Sequence, residues 1–224
     1  MKKRFYFYAL FVYNKGHKSK TRVEVSNLSK EKLVLDMARE NNGTVTAAMV
    51  QDASIPRQYL INLVRQGHLE KASRGVYILP EVWEDEFNNL QTQYKKGIFS
   101  KETALFLHDL TDRTPLAYTM TFPENYNLTN AKHAGVIANR AKETFYKLGI
   151  EEVKSPSGNV IKVYNAEKTL CDILRPRSDV ETGVIAEAFK IYIAKPNKNI
   201  PRLSEYAKLL KVEEKVRTYL EVLL

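Results

Sequence analysis

Apolar residues recur at helical spacing through Leu33, Val34, Met37 and Ala38, with Ser29 as N-cap and Asn41, Asn42 and Gly43 ending the run, and this predicts a first helix. Thr44, Val45 and Thr46 form a short β-prone stretch, and Ala47 to Ala53 predicts a brief second helix with Met49 and Val50 facing inward. Ser54 is read as the start of a third helix. Pro56 sits in its first turn, where a missing N–H costs nothing, and Tyr59, Leu60, Leu63 and Val64 form an apolar stripe that stops at Gly67. His68 to Lys71, a turn through Ala72 to Gly75, and Val76 to Leu79 closed by Pro80 read as a two-stranded hairpin. Helix, short strand, helix, helix and hairpin within one short stretch is the order of a winged helix-turn-helix.

A polar, acidic stretch follows, with Glu81, Glu84, Asp85 and Glu86 leading into Asn88 to Lys96, and it predicts a connecting helix. A new pattern starts at Gly97. Ser100 is placed to cap a helix carrying Ala104, Leu105, Leu107 and Leu110, and Pro115 closes the turn behind it. Tyr118 to Phe122 and Val160 to Tyr164 read as strands, the latter after a turn at Pro156, Ser157 and Gly158. Ala131 to Leu148 reads as helical, Ala166 to Leu174 as another helix, and two or three more reach Leu224. The fold class is therefore α+β or α/β: an N-terminal winged helix-turn-helix over 29–80, a linker helix over 81–96, and a larger mixed domain over 97–224. Residues 1–28 form a basic extension to which no function is assigned.

Charge changes the picture less than its total suggests. The net +9 divides into +6 over residues 1–28, +2 over 29–80, −2 over 81–96 and +3 over 97–224, so any argument for a polyanionic partner rests on placement. Between residues 54 and 74 the cations are Arg57, Arg65, Lys71 and Arg74, against Glu70 alone. The single cysteine, Cys171, has no disulfide partner in the chain and fits a reducing cytoplasm as a buried apolar residue. The longest apolar run, Phe5 to Tyr13, falls far short of the roughly 20 residues that span a bilayer, so no membrane helix is expected.

The start of a recognition helix points into the major groove, which places Ser54, Arg57, Gln58 and Asn62 within reach of base edges or phosphates, with Arg65 on the same helix. Arg57 leads this set, since arginine pairs bidentately with guanine. A wing carrying Lys71, Ser73 and Arg74 then lies over neighbouring phosphates or the minor groove. No catalytic or cofactor motif stands out: there is no Gly-rich phosphate loop, no metal-ligand spacing and no nucleophile elbow, and the four histidines are scattered. Two Glu-x-Lys pairs, Glu152 with Lys154 and Glu213 with Lys215, equal the number chance predicts in this composition.

The stretches SRGVYILP (73–80), GIFSKETALFLHDLTDRTP (97–115), TMTFP (119–123) and VYNAEKTLCDILR (163–175) occur in order, and together they resemble AbiEi-type antitoxins of type IV, abortive-infection toxin-antitoxin systems. The resemblance spans roughly residues 29–224. It implies a cytoplasmic, non-enzymatic autorepressor whose winged helix binds operator inverted repeats in double-stranded DNA, with two copies on one operator. It also implies a C-terminal domain that counteracts a nucleotidyltransferase-like toxin without a stable complex. Carried over residue by residue, Thr103, His108, Asp109, Asp112, Arg113, Glu167, Lys168, Asp172 and Arg175 match its C-terminal signatures. Two other readings stay open: a winged-helix regulator that senses a small molecule, and a nuclease-type DNA-acting enzyme. The structural reading of the signature residues is that Asp112 and Arg113 clamp a turn and that Glu167 and Lys168 begin a helix after Asn165.

Overall fold

The computed structural model describes residues 21–82, 85–176 and 178–223, with side chains from Lys30 onward. Most of the basic extension assigned to 1–28 lies outside the described residues. The first helix, α1 (Thr21–Glu40), starts well before the expected cap, so Ser29 lies inside a helix rather than at its beginning. The chain divides into two compact units, Met1–Trp83 and Glu84–Leu224.

The first unit continues with β1 (Thr44–Thr46), α2 (Ala47–Asp52), α3 (Gln58–Arg65), β2 (Glu70–Ser73) and β3 (Val76–Ile78). Its strands form an antiparallel sheet in the order β1-β3-β2, with Ile78 facing Thr44 on one side and Glu70 on the other. The helical stripes read from sequence meet in one core, where Val34, Ala38, Val45, Val50 and Leu60 are fully buried beside Leu63 and Leu69. Burial of each valine or leucine among them stabilises by about 1.5–3 kcal/mol. Thr46 caps α2 by accepting from Met49 N at 3.2 Å. Gly43 holds a φ of +78°, and a Cβ there would meet Val82 Cγ2 at 2.3 Å, so this turn excludes every larger residue.

The second unit contains α4 (Glu86–Gln93), β4 (Ile98–Phe99), α5 (Lys101–Leu107), β5 (Thr119–Pro123), α6 (Thr129–His133), β6 (Ile137–Ala141), α7 (Glu143–Tyr146), β7 (Ile150–Lys154), β8 (Val160–Tyr164), α8 (Ala166–Ile173), α9 (Thr182–Ala194), α10 (Ile200–Leu209) and α11 (Glu213–Leu223). Its sheet runs β6-β5-β4-β8-β7, mixing parallel pairs (β4 with β8, β5 with β6) and antiparallel ones (β4 with β5, β7 with β8). The described residues thus form a mixed α+β structure with two sheets. One core, around Phe99, Met120, Phe122 and Val163, packs beside the sheet. Another, around Leu105, Leu170, Cys171, Phe189 and Leu203, joins the later helices.

Two expectations are corrected here. Residues 131–148 are not one helix, because Gly135 at φ +79° ends α6 and the β-branched pair Val136 and Ile137 leads into β6, an edge strand paired in parallel with β5. The polar stretch 81–96 is not a free connector either. Asp85 caps α4 by accepting from Asn88 N at 3.1 Å, while its other oxygen accepts from Ser155 Oγ at 2.5 Å and Asn159 Nδ2 at 2.8 Å. Phe87 is buried with its ring centroid 5.4 Å from Phe99 and 4.7 Å from Tyr118. Gln91 accepts from Lys162 N at 2.7 Å. The acidic character that suggested a solvated linker belongs to a helix built into the second unit.

Candidate nucleic-acid interface and the buried charge cluster

The helix expected from Ser54 begins at Gln58, and residues 54–57 form the turn before it. Ser54 itself takes a φ of +57°, with Ile55 anchored beneath it: Ile55 is buried, and its N–H donates to Val50 O at 2.9 Å. Ser54 is therefore exposed at the turn between α2 and α3 rather than on the helix, and α3 has no side-chain cap at its start. With Leu60 and Leu63 turned into the core, helical spacing leaves Gln58, Ile61, Asn62 and Arg65 on the opposite face. Arg57 and Gln58 are exposed and already ordered: Arg57 Nη2 donates to Gln51 Oε1 at 2.8 Å, and Gln58 Nε2 donates to Asn62 Oδ1 at 3.1 Å.

Gln51 and Ile61 are two members of this surface that the sequence reading missed. Gln51 escaped notice because a polar residue near the end of a short helix carries no signal. Ile61 was readable as an apolar residue off the stripe, and it is 42% exposed, suited to contact with a thymine methyl.

The hairpin follows the same unit. Gly75, at φ +80°, makes its tip, and the Gly75 carbonyl accepts from Ala47 N at 2.8 Å, which ties the tip to the start of α2. Lys71 and Arg74 are exposed. Ser73 is different, because the strand register shifts between Lys71 and Ser73 and its hydroxyl is buried with no hydrogen-bond partner. The hairpin offers two cations outward and keeps that hydroxyl inside.

The signature residues of the second unit divide into three groups. Lys168, Asp172 and Arg175 come together on successive turns of α8 and just past its end. Lys168 Nζ bonds Asp172 Oδ2 and lies 4.4 Å from the centroid of the Tyr164 ring, while Arg175 Nη1 stands 3.6 Å from Asp172 Oδ1. Lys168 is 2% exposed. Burial holds its pKa below the ordinary lysine value, and the Asp172 charge opposes that shift. Burial pushes the Tyr164 phenol up, with the Asp172 charge adding to it. Glu167 points elsewhere on α8, accepting from Tyr192 Oη at 2.8 Å with Arg202 Nη1 3.8 Å away.

The second group is structural. Thr103 Oγ1 accepts from Thr119 N at 2.8 Å, and His108 Nε2 lies 2.7 Å from Tyr164 O and 3.6 Å from Glu151 Oε1. The third group, Asp109, Asp112 and Arg113, is exposed after α5, with Arg113 Nη1 2.9 Å from Glu181 Oε2 and Arg113 N donating to Thr111 Oγ1 at 3.2 Å. Asn165 caps α8 by accepting from Lys168 N at 2.9 Å. Gly149 at φ +68° leaves room for this cap, since a Cβ there would stand 2.9 Å from Asn165 Oδ1.

Among the described residues, no group of three or more His, Cys, Asp or Glu is placed to hold a metal ion. Glu152 and Lys154 lie on the exposed edge strand β7, and Glu213 and Lys215 on α11. Cys171 is fully buried, and burial pushes its thiol up to about 12. It is expected to resist a disulfide reagent such as DTNB at pH 8 in the folded protein and to react promptly in urea, because the attacking species is the thiolate. Equal labelling rates with and without urea would place Cys171 at the surface.

Comparison with known proteins gives a match within the first unit. Residues 32–80 match the family described as "Transcriptional regulator, AbiEi antitoxin". Of the motifs that suggested this resemblance, SRGVYILP lies inside the matched stretch, and those at 97–115, 119–123 and 163–175 lie beyond it. No curated protein matches the chain. Among solved structures, the chain is similar to the crystal structure of the RV2827C protein from Mycobacterium tuberculosis, at 14% identity and a TM-score of 0.50, covering 88% of this chain and 81% of that one. That likeness is one of fold. No helix among the described residues is long and apolar enough to cross a membrane.

Proposed function

We propose that this protein is a cytoplasmic transcriptional autorepressor and antitoxin, with a winged helix-turn-helix in its first unit that binds operator inverted repeats in double-stranded DNA. The observation that carries the reading is the outward face at the start of α3: Arg57, exposed and bonded to Gln51, and Gln58, exposed and bonded to the half-buried Asn62, belong to the stretch that matches the regulator family. Their chemistry suits base edges, since arginine pairs with guanine and Gln or Asn with adenine. Ser54 at the turn, Arg65 farther along α3, and Lys71 and Arg74 on the hairpin supply contacts suited to the phosphates on either side. Ser73 drops to a backbone role at most. Two copies occupy one operator, matching the two-fold symmetry of inverted repeats.

The second unit is the antitoxin domain, which counteracts a nucleotidyltransferase-like toxin without forming a stable complex with it. The buried cluster on α8 maintains the fold of that domain rather than performing chemistry, in keeping with a non-enzymatic role. A reporter driven by the protein's own promoter should be repressed by the parent and released by Arg57→Ala. Colony counts under induction of the neighbouring toxin gene should be restored by both. Restoration lost in Arg57→Ala would join the two roles in one surface, and absence of repression by the parent would remove the repressor reading.

A further inference from the structure

We propose that a cavity walled by α8, α9 and α11 binds a small organic anion, a phosphate or carboxylate carried on an apolar body. The cavity holds about 370 Å³, within the roughly 300–1,000 Å³ of small-molecule sites. Arg175 and Lys215 line it, and no carboxylate does. Ser178 and Thr182 add two hydroxyls, the Thr218 hydroxyl being engaged with Glu214 O, while Ile185 and Tyr219 form an apolar side. That lining offers charge and hydrogen bonds to an anionic head and contact area to a hydrocarbon or aromatic body.

Both cations keep donors for such a ligand. Lys215 Nζ gives one of its three donors to Leu174 O at 2.8 Å. Arg175 reaches Asp172 Oδ1 at 3.6 Å, beyond hydrogen-bond range, with its guanidinium 5.6 Å from the Phe145 ring centroid. An anion held by both gains from two cations at once, and a ligand that binds only the folded chain stabilises it.

Ser178 in the lining and Glu181, the residue before α9, are each reached by a side chain from a distant part of the unit. Lys101 Nζ donates to Ser178 O at 3.1 Å, and Arg113 pairs with Glu181. Lys101 does so from a left-handed backbone, φ +51°, and Asp179, next to the lining residue Ser178, takes φ +58°. Non-glycine residues in that region are strained and persist where the surroundings over-determine them, as at ligand sites.

The test uses the full chain with phenyl phosphate and benzoate as probes and benzyl alcohol as the neutral control, followed by thermal melting and calorimetric titration. A saturable rise in melting temperature with at least one anion, and none with the alcohol, is expected; the tighter of the two assigns phosphate or carboxylate as the head group. Lys215→Gln should weaken binding about tenfold and Lys215→Arg by less than about threefold, each read against the variant's own ligand-free melting because Lys215 also donates to Leu174 O. Thr218→Trp should fill the cavity and abolish the response. Failure of both anions to give a saturable shift at about 10 mM, or parent-like binding by Lys215→Gln and Thr218→Trp, overturns the proposal.

Discussion

Asp172→Ala is expected to destabilise the second unit by about 3–5 kcal/mol, because it leaves the Lys168 ammonium buried against the Tyr164 ring with no counter-charge. The cost lies in removing one partner, not in lacking a pair. Lys168→Met combined with Asp172→Leu should therefore recover most of the loss, since an apolar pair of similar volume carries no desolvation penalty. The single variant should also respond to pH in a defined direction. Burial already holds the Lys168 pKa below its ordinary 10.5, and removing Asp172 removes the group that opposes the shift. The unfolded chain then binds a proton that the folded chain has released, so stability of the variant rises as pH increases from neutral toward 10. Urea denaturation followed by circular dichroism at pH 7 and pH 9 measures both effects. A loss below about 1 kcal/mol, or a variant less stable at pH 9 than at pH 7, would show that the cluster does not behave as a buried charge pair.

A fragment beginning at Glu84 should fold and melt cooperatively, while one beginning at Leu90 should not. The shorter fragment lacks Phe87, whose ring fills the space between Phe99 and Tyr118, and loss of a buried phenylalanine costs about 3–5 kcal/mol. It also lacks Asp85, which both caps α4 and holds Ser155 and Asn159 beside the β7–β8 turn. Losing the cap alone costs about 1 kcal/mol. Together these reach the lower end of the whole stability of a typical domain, about 5–15 kcal/mol. Thermal unfolding of the two fragments decides the matter, and equal melting temperatures would mean that α4 is a connector after all.

The contrast between α3 and α4 shows what the sequence could and could not reveal. The stripe of Tyr59, Leu60, Leu63 and Val64 repeats at 3.6-residue spacing, so the buried face of α3, and with it the exposed Arg57, Gln58 and Arg65 and the half-buried Asn62, was legible in advance. The alternation and turn residues of the hairpin were equally clear. The start of α3 was misplaced because Ser54 looks like a cap, whereas it occupies a left-handed turn. In α4 the polar residues bond inward to partners about 70 positions away, and no local pattern reports such contacts.

The strands β4, β6 and β7 were missed for a related reason. β4 has two residues, too few for any period, and β6 and β7 are edge strands whose exposed positions, such as Ile137, Arg140 and Glu152, blur the alternation. The signature residues Lys168, Asp172 and Arg175 could be placed on one helix by spacing. Their burial against Tyr164 depends on β8, and only tertiary structure shows it.

The claim that α3 reads DNA is tested by fluorescence anisotropy, titrating the full chain onto its own promoter fragment and onto a shuffled fragment across a range of salt concentrations. The parent should prefer its own promoter. Arg57→Ala should lose about 1–3 kcal/mol on that fragment and little on the shuffled one, as expected for a base contact. Arg74→Ala should weaken both alike and lower the salt slope by about 1, as expected for a phosphate contact. Equal parent affinity for the two fragments, or an Arg57→Ala variant that discriminates as well as the parent, would contradict the assignment of α3 as the reading helix.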